Sequence, residues 1–146
     1  MPSAGGPVTS PAVDPQTARR RLAEAPRGHL ATVTPDGRPH LVPCCFALEG
    51  DWIYTAVDAK PKSTVALQRL ANVRSQPAVC LLVDAYDEEW SDLWWVRVDG
   101  RADVWESGSR RQRALDVLAD KYWQYRETRP PGPVIGIEIS GWRSWP

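Results

Sequence analysis

The chain has 146 residues, enough for one domain whose core needs no disulfide or metal staple. Eighteen basic residues balance eighteen acidic ones, and this neutrality argues against general nucleic-acid binding, which needs a basic face. Three cysteines without a Cys-x-x-Cys spacing fit neither a disulfide frame nor a zinc site; they suit buried thiols in a reducing, cytoplasmic compartment.

Residues 1–14 (MPSAGGPVTSPAVD) are small, rich in Pro and Gly and uncharged until the last position. They lack the apolar core of a signal peptide and read as a disordered tail on a domain spanning 15–146. No later segment is long and apolar enough to span a bilayer, so no membrane association is expected. Asp14-Pro15 is a helix start, with Asp as N-cap and Pro in the first position. The helix should run to about Ala25 and stop at Pro26-Arg27-Gly28. Residues 29–34 and 39–48 flank Pro35-Asp36-Gly37, which predicts a hairpin. Glu49-Gly50-Asp51 turns the chain into a third strand, 52–57. A helix from Ser63 follows, with Ala66, Leu67, Leu70 and Ala71 as its apolar stripe.

Residues 78–83 (AVCLLV) are apolar without alternation and predict an interior strand buried on both faces. The acidic stretch 84–92 has no EF-hand spacing and reads as a solvated loop rather than a cation site. Residues 93–105 alternate strictly, with Trp94, Val96, Val98, Ala102 and Val104 on one face and mostly charged residues on the other. Gly100 marks a bulge there. Ser109 is expected to cap a helix through Tyr122 that carries Leu115, Leu118, Ala119 and Tyr122 on one side. A Pro-rich loop, 129–133, precedes a last strand, 134–142, in which Ile135, Ile137 and Ile139 alternate with Gly136, Glu138 and Ser140. Six strands joined largely by tight turns predict a mainly β (α+β) domain, an antiparallel barrel with flanking helices.

One cluster stands out chemically. Two of the three lysines, Lys60 and Lys62, sit in Lys60-Pro61-Lys62-Ser63-Thr64, between a strand and a helix. A helix N-terminus presents free N–H groups and the positive end of a dipole, and no Asp or Glu lies between Ser63 and Arg69 to neutralise it. A phosphate held by both lysines and by the Ser63 and Thr64 hydroxyls is one reading; a solvated loop with a plain Ser N-cap is the other. Pro43, within an apolar run, cannot donate to a ladder and marks either a sheet edge or a place where a planar group approaches.

His40 shares a face with Val42, Cys44 and Phe46 and reads as a rim or interior histidine rather than a proton donor. Cys44 and Cys45 alternate faces and read as packing residues. Most of the eight tryptophans should fill the core or an interface; Trp95, on the polar face of its strand, is the candidate for stacking on a ligand. No Ser-His-Asp pattern and no metal-ligand cluster is visible.

Four segments in this order, HLATVTPDGRPHLVP, AKPKST, NVRSQPAVCLLVD and EEWSDLWWVRVDGRA, resemble the FMN-binding split β-barrel superfamily of pyridoxamine 5′-phosphate oxidase-like proteins. Within it the chain looks like the actinobacterial branch that binds the deazaflavin coenzyme F420. The resemblance implies a six-stranded split barrel and a homodimer with cofactor sites at the subunit interface. It also implies an oxidoreductase passing a hydride between the coenzyme and a small electron-poor molecule.

By the same resemblance, Lys60, Lys62, Ser63 and Thr64 hold the coenzyme's phosphate. Val42, Pro43, Cys44 and Cys45, with Thr55, Ala56 and Val57, lie along its ring, while Trp94, Trp95, Arg97 and Trp142 belong to the partner's contribution. The arginines of FMN-enzyme phosphate clusters are not found at matching places, which favours F420 over FMN. The C-terminal GWRSWP lacks the substrate motifs of the vitamin-B6 enzymes, so pyridoxamine-phosphate oxidation is not expected. An FMN-dependent oxidoreductase, and a non-catalytic flavin or deazaflavin carrier, are the alternatives.

Overall fold

The computed structural model describes residues 13–57 and 64–146, the side chains of 64–66 excepted. Residues 1–12 of the expected tail, and Lys60, Lys62 and Ser63, lie outside the described residues. The first helix, α1 (Pro15–Glu24), is capped as the sequence predicts. The Asp14 carboxylate accepts from the Thr17 N–H at 3.0 Å and from the Thr17 hydroxyl at 2.8 Å. Its Ala18 and Leu22 are buried in the core.

The hairpin forms between β1 (Gly28–Val33) and β2 (Pro39–Cys44), around Gly37 with φ +89°. The second predicted strand, 39–48, is broken. Its end becomes a separate short strand, β3 (Ala47–Glu49), which pairs with β4 (Trp52–Ala56). The break follows from the corner at Cys45 and Phe46, where side chains rather than a neighbouring strand take up the backbone groups. Tyr122 Oη accepts from the Phe46 N–H at 3.1 Å, Lys121 Nζ donates to the Phe46 carbonyl at 2.8 Å, and the Thr55 hydroxyl donates to the Cys45 carbonyl at 2.7 Å. There are therefore seven strands where six are predicted.

Then come α2 (Thr64–Ser75), β5 (Ala78–Ala85), a 3₁₀ turn (Trp90–Asp92), β6 (Trp94–Trp105), α3 (Ser109–Lys121), α4 (Trp123–Glu127) and β7 (Val134–Trp145). All strands form one antiparallel sheet in the order β2-β1-β5-β6-β7-β4-β3. Its two edges, β2 and β3, are consecutive in the chain, so the curled sheet brings its edges to the same corner: a split barrel. The interior holds Leu22, Leu30, Phe46, Ile53, Leu81, Val83, Val96, Val98, Ile135 and Ile137, with Leu70 and Val73 of α2 joining them. A second apolar cluster lies between α3 and the outer face of β3, β4, β7 and the end of β6, where Ala114, Leu115 and Leu118 meet Tyr54, Trp105 and Val134.

Three local expectations are corrected. On α2 the buried face is Arg69, Leu70, Asn72 and Val73, while Leu67 is 56% exposed, so the helix is rotated from the predicted stripe. Residue 108, not Ser109, is the N-cap of α3, and it makes no side-chain cap hydrogen bond. Strand β5 alternates, with Val79, Leu81 and Val83 inward and Cys80 and Leu82 half-buried outward, rather than being buried on both faces. The Gly100 bulge is present: the β6–β7 register shifts between Asp99 and Gly100.

Candidate functional site

The corner where β2 ends and β4 runs out opens into a cleft of about 410 Å³ lined by Pro43, Cys44, Cys45, Ala56, Val57 and Arg69. Its outer wall is Arg27 and the segment after α3, with Tyr125, Thr128 and Pro130. Five of the predicted ring-side residues thus meet in one cavity. Val42 and Thr55 do not line it: Thr55 is buried behind, holding the Cys45 carbonyl, and Val42 is half-buried one pair up the hairpin, opposite Leu30. Pro43 lies on an edge strand, as one reading of its missing N–H has it, and it also lines the cleft. Trp95 lies elsewhere, half-buried at the start of β6 and paired with Asp84 and Trp145.

Thr64 begins α2, its side chain outside the described residues, so the phosphate cluster is read only through the backbone that follows it. The first turn of α2 carries no acidic residue. The described part of the helix adds what the sequence did not reveal. Arg69 is only 7% exposed, and its buried Nε has no hydrogen-bond partner. A guanidinium is costly to bury without a compensating acceptor. None of the ten lining residues is acidic, while Arg27 and Arg69 are both cationic. Two cationic side chains and a buried Nε–H without an acceptor fit the group that the resemblance implies, a phosphate-bearing flavin or deazaflavin.

The remaining electrostatics are quiet. Burial pushes the Cys44 thiol up to about 11, so at neutral pH it is a protonated packing group rather than a nucleophile. Tyr122 is also raised by burial, which keeps its hydroxyl as donor to the Pro26 carbonyl at 2.8 Å. Arg111 donates to the Gly132 carbonyl at 3.0 Å and to the Pro130 carbonyl at 3.2 Å, fixing the Pro-rich loop beside the cleft. Among the described residues no group of three or more His, Cys, Asp or Glu could hold a metal ion, and no helix is long and apolar enough to cross a membrane.

Sequence reasoning missed Arg69, Arg27 and the wall Tyr125, Thr128 and Pro130. The signal for Arg69 was weak: Leu70 and Val73 share a helical face with Arg69 and Asn72, but two polar residues in four make that face less apolar than the stripe chosen. For the wall no local signal exists, because α4 and its loop reach the cleft only through the packing of α3.

A sequence model of the pyridoxamine 5′-phosphate oxidase family matches residues 15–146, and the chain belongs to that family. No curated protein matches the sequence. Among solved structures it is similar to the conserved hypothetical protein Rv2991 of Mycobacterium tuberculosis, at 22% identity and TM-score 0.73, over 97% of this chain and 89% of that one. It is similar to a FAD-binding protein of Mesorhizobium loti at 20% identity and TM-score 0.70, over 94% and 97%. A heme-binding protein of Mycobacterium smegmatis shares 19% identity at TM-score 0.69, over 87% of this chain and 51% of that one. At these identities the likeness is one of fold.

Proposed function

We propose that the protein is an F420-binding oxidoreductase that passes a hydride between the deazaflavin coenzyme and a small electron-poor molecule such as a conjugated alkene or a quinone. The observation that carries this is the cleft at the split corner. It is lined by the ends of two strands, has no carboxylate among its described lining residues, and holds a buried arginine of α2 whose Nε lacks an acceptor. The coenzyme supplies the hydride chemistry when bound. The chain's own residues do the rest. Lys60, Lys62, Ser63 and Thr64 hold the phosphate at the helix start. Pro43, Cys44, Cys45, Ala56 and Val57 flank the ring and keep water from it, with Val42 and Thr55 supporting them. Trp95 serves a second subunit.

A homodimer is part of this reading. Antiparallel pairing puts Leu41, Ala31 and Cys80 in one outward row and Pro43, His29, Leu82 and Arg97 in the next. Leu41 is 66% exposed, and Trp95 extends the same face. That face, which reaches the cleft at Pro43, is where a second copy would both bury apolar surface and complete the site.

FMN is the second reading, and a specific observation favours it. The absence of matching arginines had argued for the deazaflavin, yet an arginine outside those places, Arg27, stands on the outer wall of the cleft. The test is a fluorescence titration of the purified protein with F420, with FMN alongside. Quenching of F420 fluorescence on binding is expected, and Lys62→Ala should weaken binding by about 1–3 kcal/mol, the range for one charge-assisted contact. Tight FMN binding with no F420 binding would transfer the function to the flavin, and affinity for neither would end both readings. Turnover of reduced coenzyme with a panel of enones and quinones then separates an enzyme from a carrier.

A further inference from the structure

We infer that Arg69 tunes the cofactor electronically: its guanidinium faces the ring, not the phosphate, and stabilises the negative charge the ring gains on reduction. The inference rests on the cofactor reading above. Arg69 lies five residues after Thr64, about 7.5 Å along the axis of α2, so it is more than a turn from the helix start where the phosphate is expected. Its lining neighbours are instead the strand ends, Cys44, Ala56 and Val57, that flank the ring.

Burial is what gives the charge its reach. Arg69 is 93% removed from solvent, its Nε–H has no acceptor, and among the described residues no carboxylate lines the cleft. In such a place a charge acts with little screening. The neighbouring polar groups of α2 are committed elsewhere: Gln68 Nε2 donates to Asn72 Oδ1 at 2.7 Å, and Asn72 Nδ2 donates to the Thr32 hydroxyl at 2.9 Å. Hydride uptake brings two electrons and one proton, so the ring gains one negative charge. In flavins and deazaflavins alike that charge gathers on the pyrimidinedione edge, whose carbonyl oxygens are acceptors for a guanidinium. The partner that Arg69 lacks is supplied by that edge, and more strongly after reduction than before.

Linkage sets the readout: a residue that prefers the reduced form raises the midpoint potential of the bound cofactor. The experiment equilibrates loaded wild type, Arg69→Gln and Arg69→Lys anaerobically with a redox dye of known potential, and titrates the oxidised cofactor into each. Arg69→Gln should lower the potential by about 30 mV for each tenfold loss of preference for the reduced form, the two-electron conversion. Arg69→Lys, which keeps the charge, should restore most of it. Because the wild-type Nε–H is buried without an acceptor, the cofactor-free Arg69→Gln protein should melt no lower than wild type, which shows that it folds. An unchanged potential in Arg69→Gln overturns the inference and leaves the cofactor reading standing. So does an equal loss of affinity for both oxidation states, which would put Arg69 on the phosphate. Failure of wild type to bind either F420 or FMN overturns both.

Discussion

Lys121 is the residue on which the split corner depends most visibly. It donates to the Phe46 carbonyl at 2.8 Å, sits 4.0 Å from the Phe46 ring centroid, and so pins the segment that carries Cys44 and Cys45 into the cleft. Burial pulls its ammonium down from the usual 10.5 to about 8. The folded value lies below the unfolded one, so between about pH 8 and 10.5 the unfolded chain binds more protons, and the Lys121 contribution to stability rises with pH. Cys44 has the opposite sign: its thiol is raised from 9.0 to about 11, and stability from that group falls across that interval. Between pH 8 and 9 the lysine acts without the Cys44 effect. The denaturant midpoint of wild type relative to Lys121→Met should therefore climb from pH 7 to pH 9. Two parallel profiles would mean that the ammonium is not held in this environment.

At the scale of the element, β6 and β7 show how a small residue admits a large one. Trp105, buried on the outer face, lies across Gly136 on the paired strand, where an added Cβ would come within 2.2 Å of the indole ring. The ring is hemmed in by Trp52 at 5.4 Å and Tyr54 at 6.0 Å between centroids, so it has little room to give way. Gly136→Ala should cost about 1–3 kcal/mol, the usual penalty for overpacking, read as a lower urea midpoint at unchanged slope. An unaltered midpoint would show that the indole can shift. The β6 alternation was legible because period two is read along one strand. The partner of Trp105 was not, since only the register of β7 places Gly136 beneath it. Helix α2 shows the same limit. The stripe chosen from sequence is all apolar, whereas the face that is buried carries Arg69 and Asn72, and Asn72 donates there to the Thr32 hydroxyl.

For the whole molecule, the outward face of β2, β1 and β5 decides whether the cleft works alone. If two copies pair through it, Leu41→Lys, at a position 66% exposed in the single chain, leaves the barrel folded and makes the protein monomeric. Sedimentation velocity should show half the wild-type mass, and cofactor affinity should fall with it. A dimer that survives the lysine, or a wild type that is already monomeric, would remove this face from the proposal.

The chain by itself determined what depends on neighbours in sequence. The Asp14 cap, the Pro35-Asp36-Gly37 hairpin, the bulge at Gly100 and the alternation of β6 were all readable there, because a turn or a strand face is set within a few residues. The grouping of Pro43, Cys44, Cys45, Ala56 and Val57, which line one cleft, came from the family resemblance and not from local pattern. Tertiary structure alone decided that the second strand breaks at Cys45 and Phe46, since Tyr122 and Lys121 take those backbone groups from 76 and 75 residues away. It alone turned Arg69 inward. A buried charge without a partner is never favoured locally, and only the packing of a whole helix against a closing sheet can hold it there.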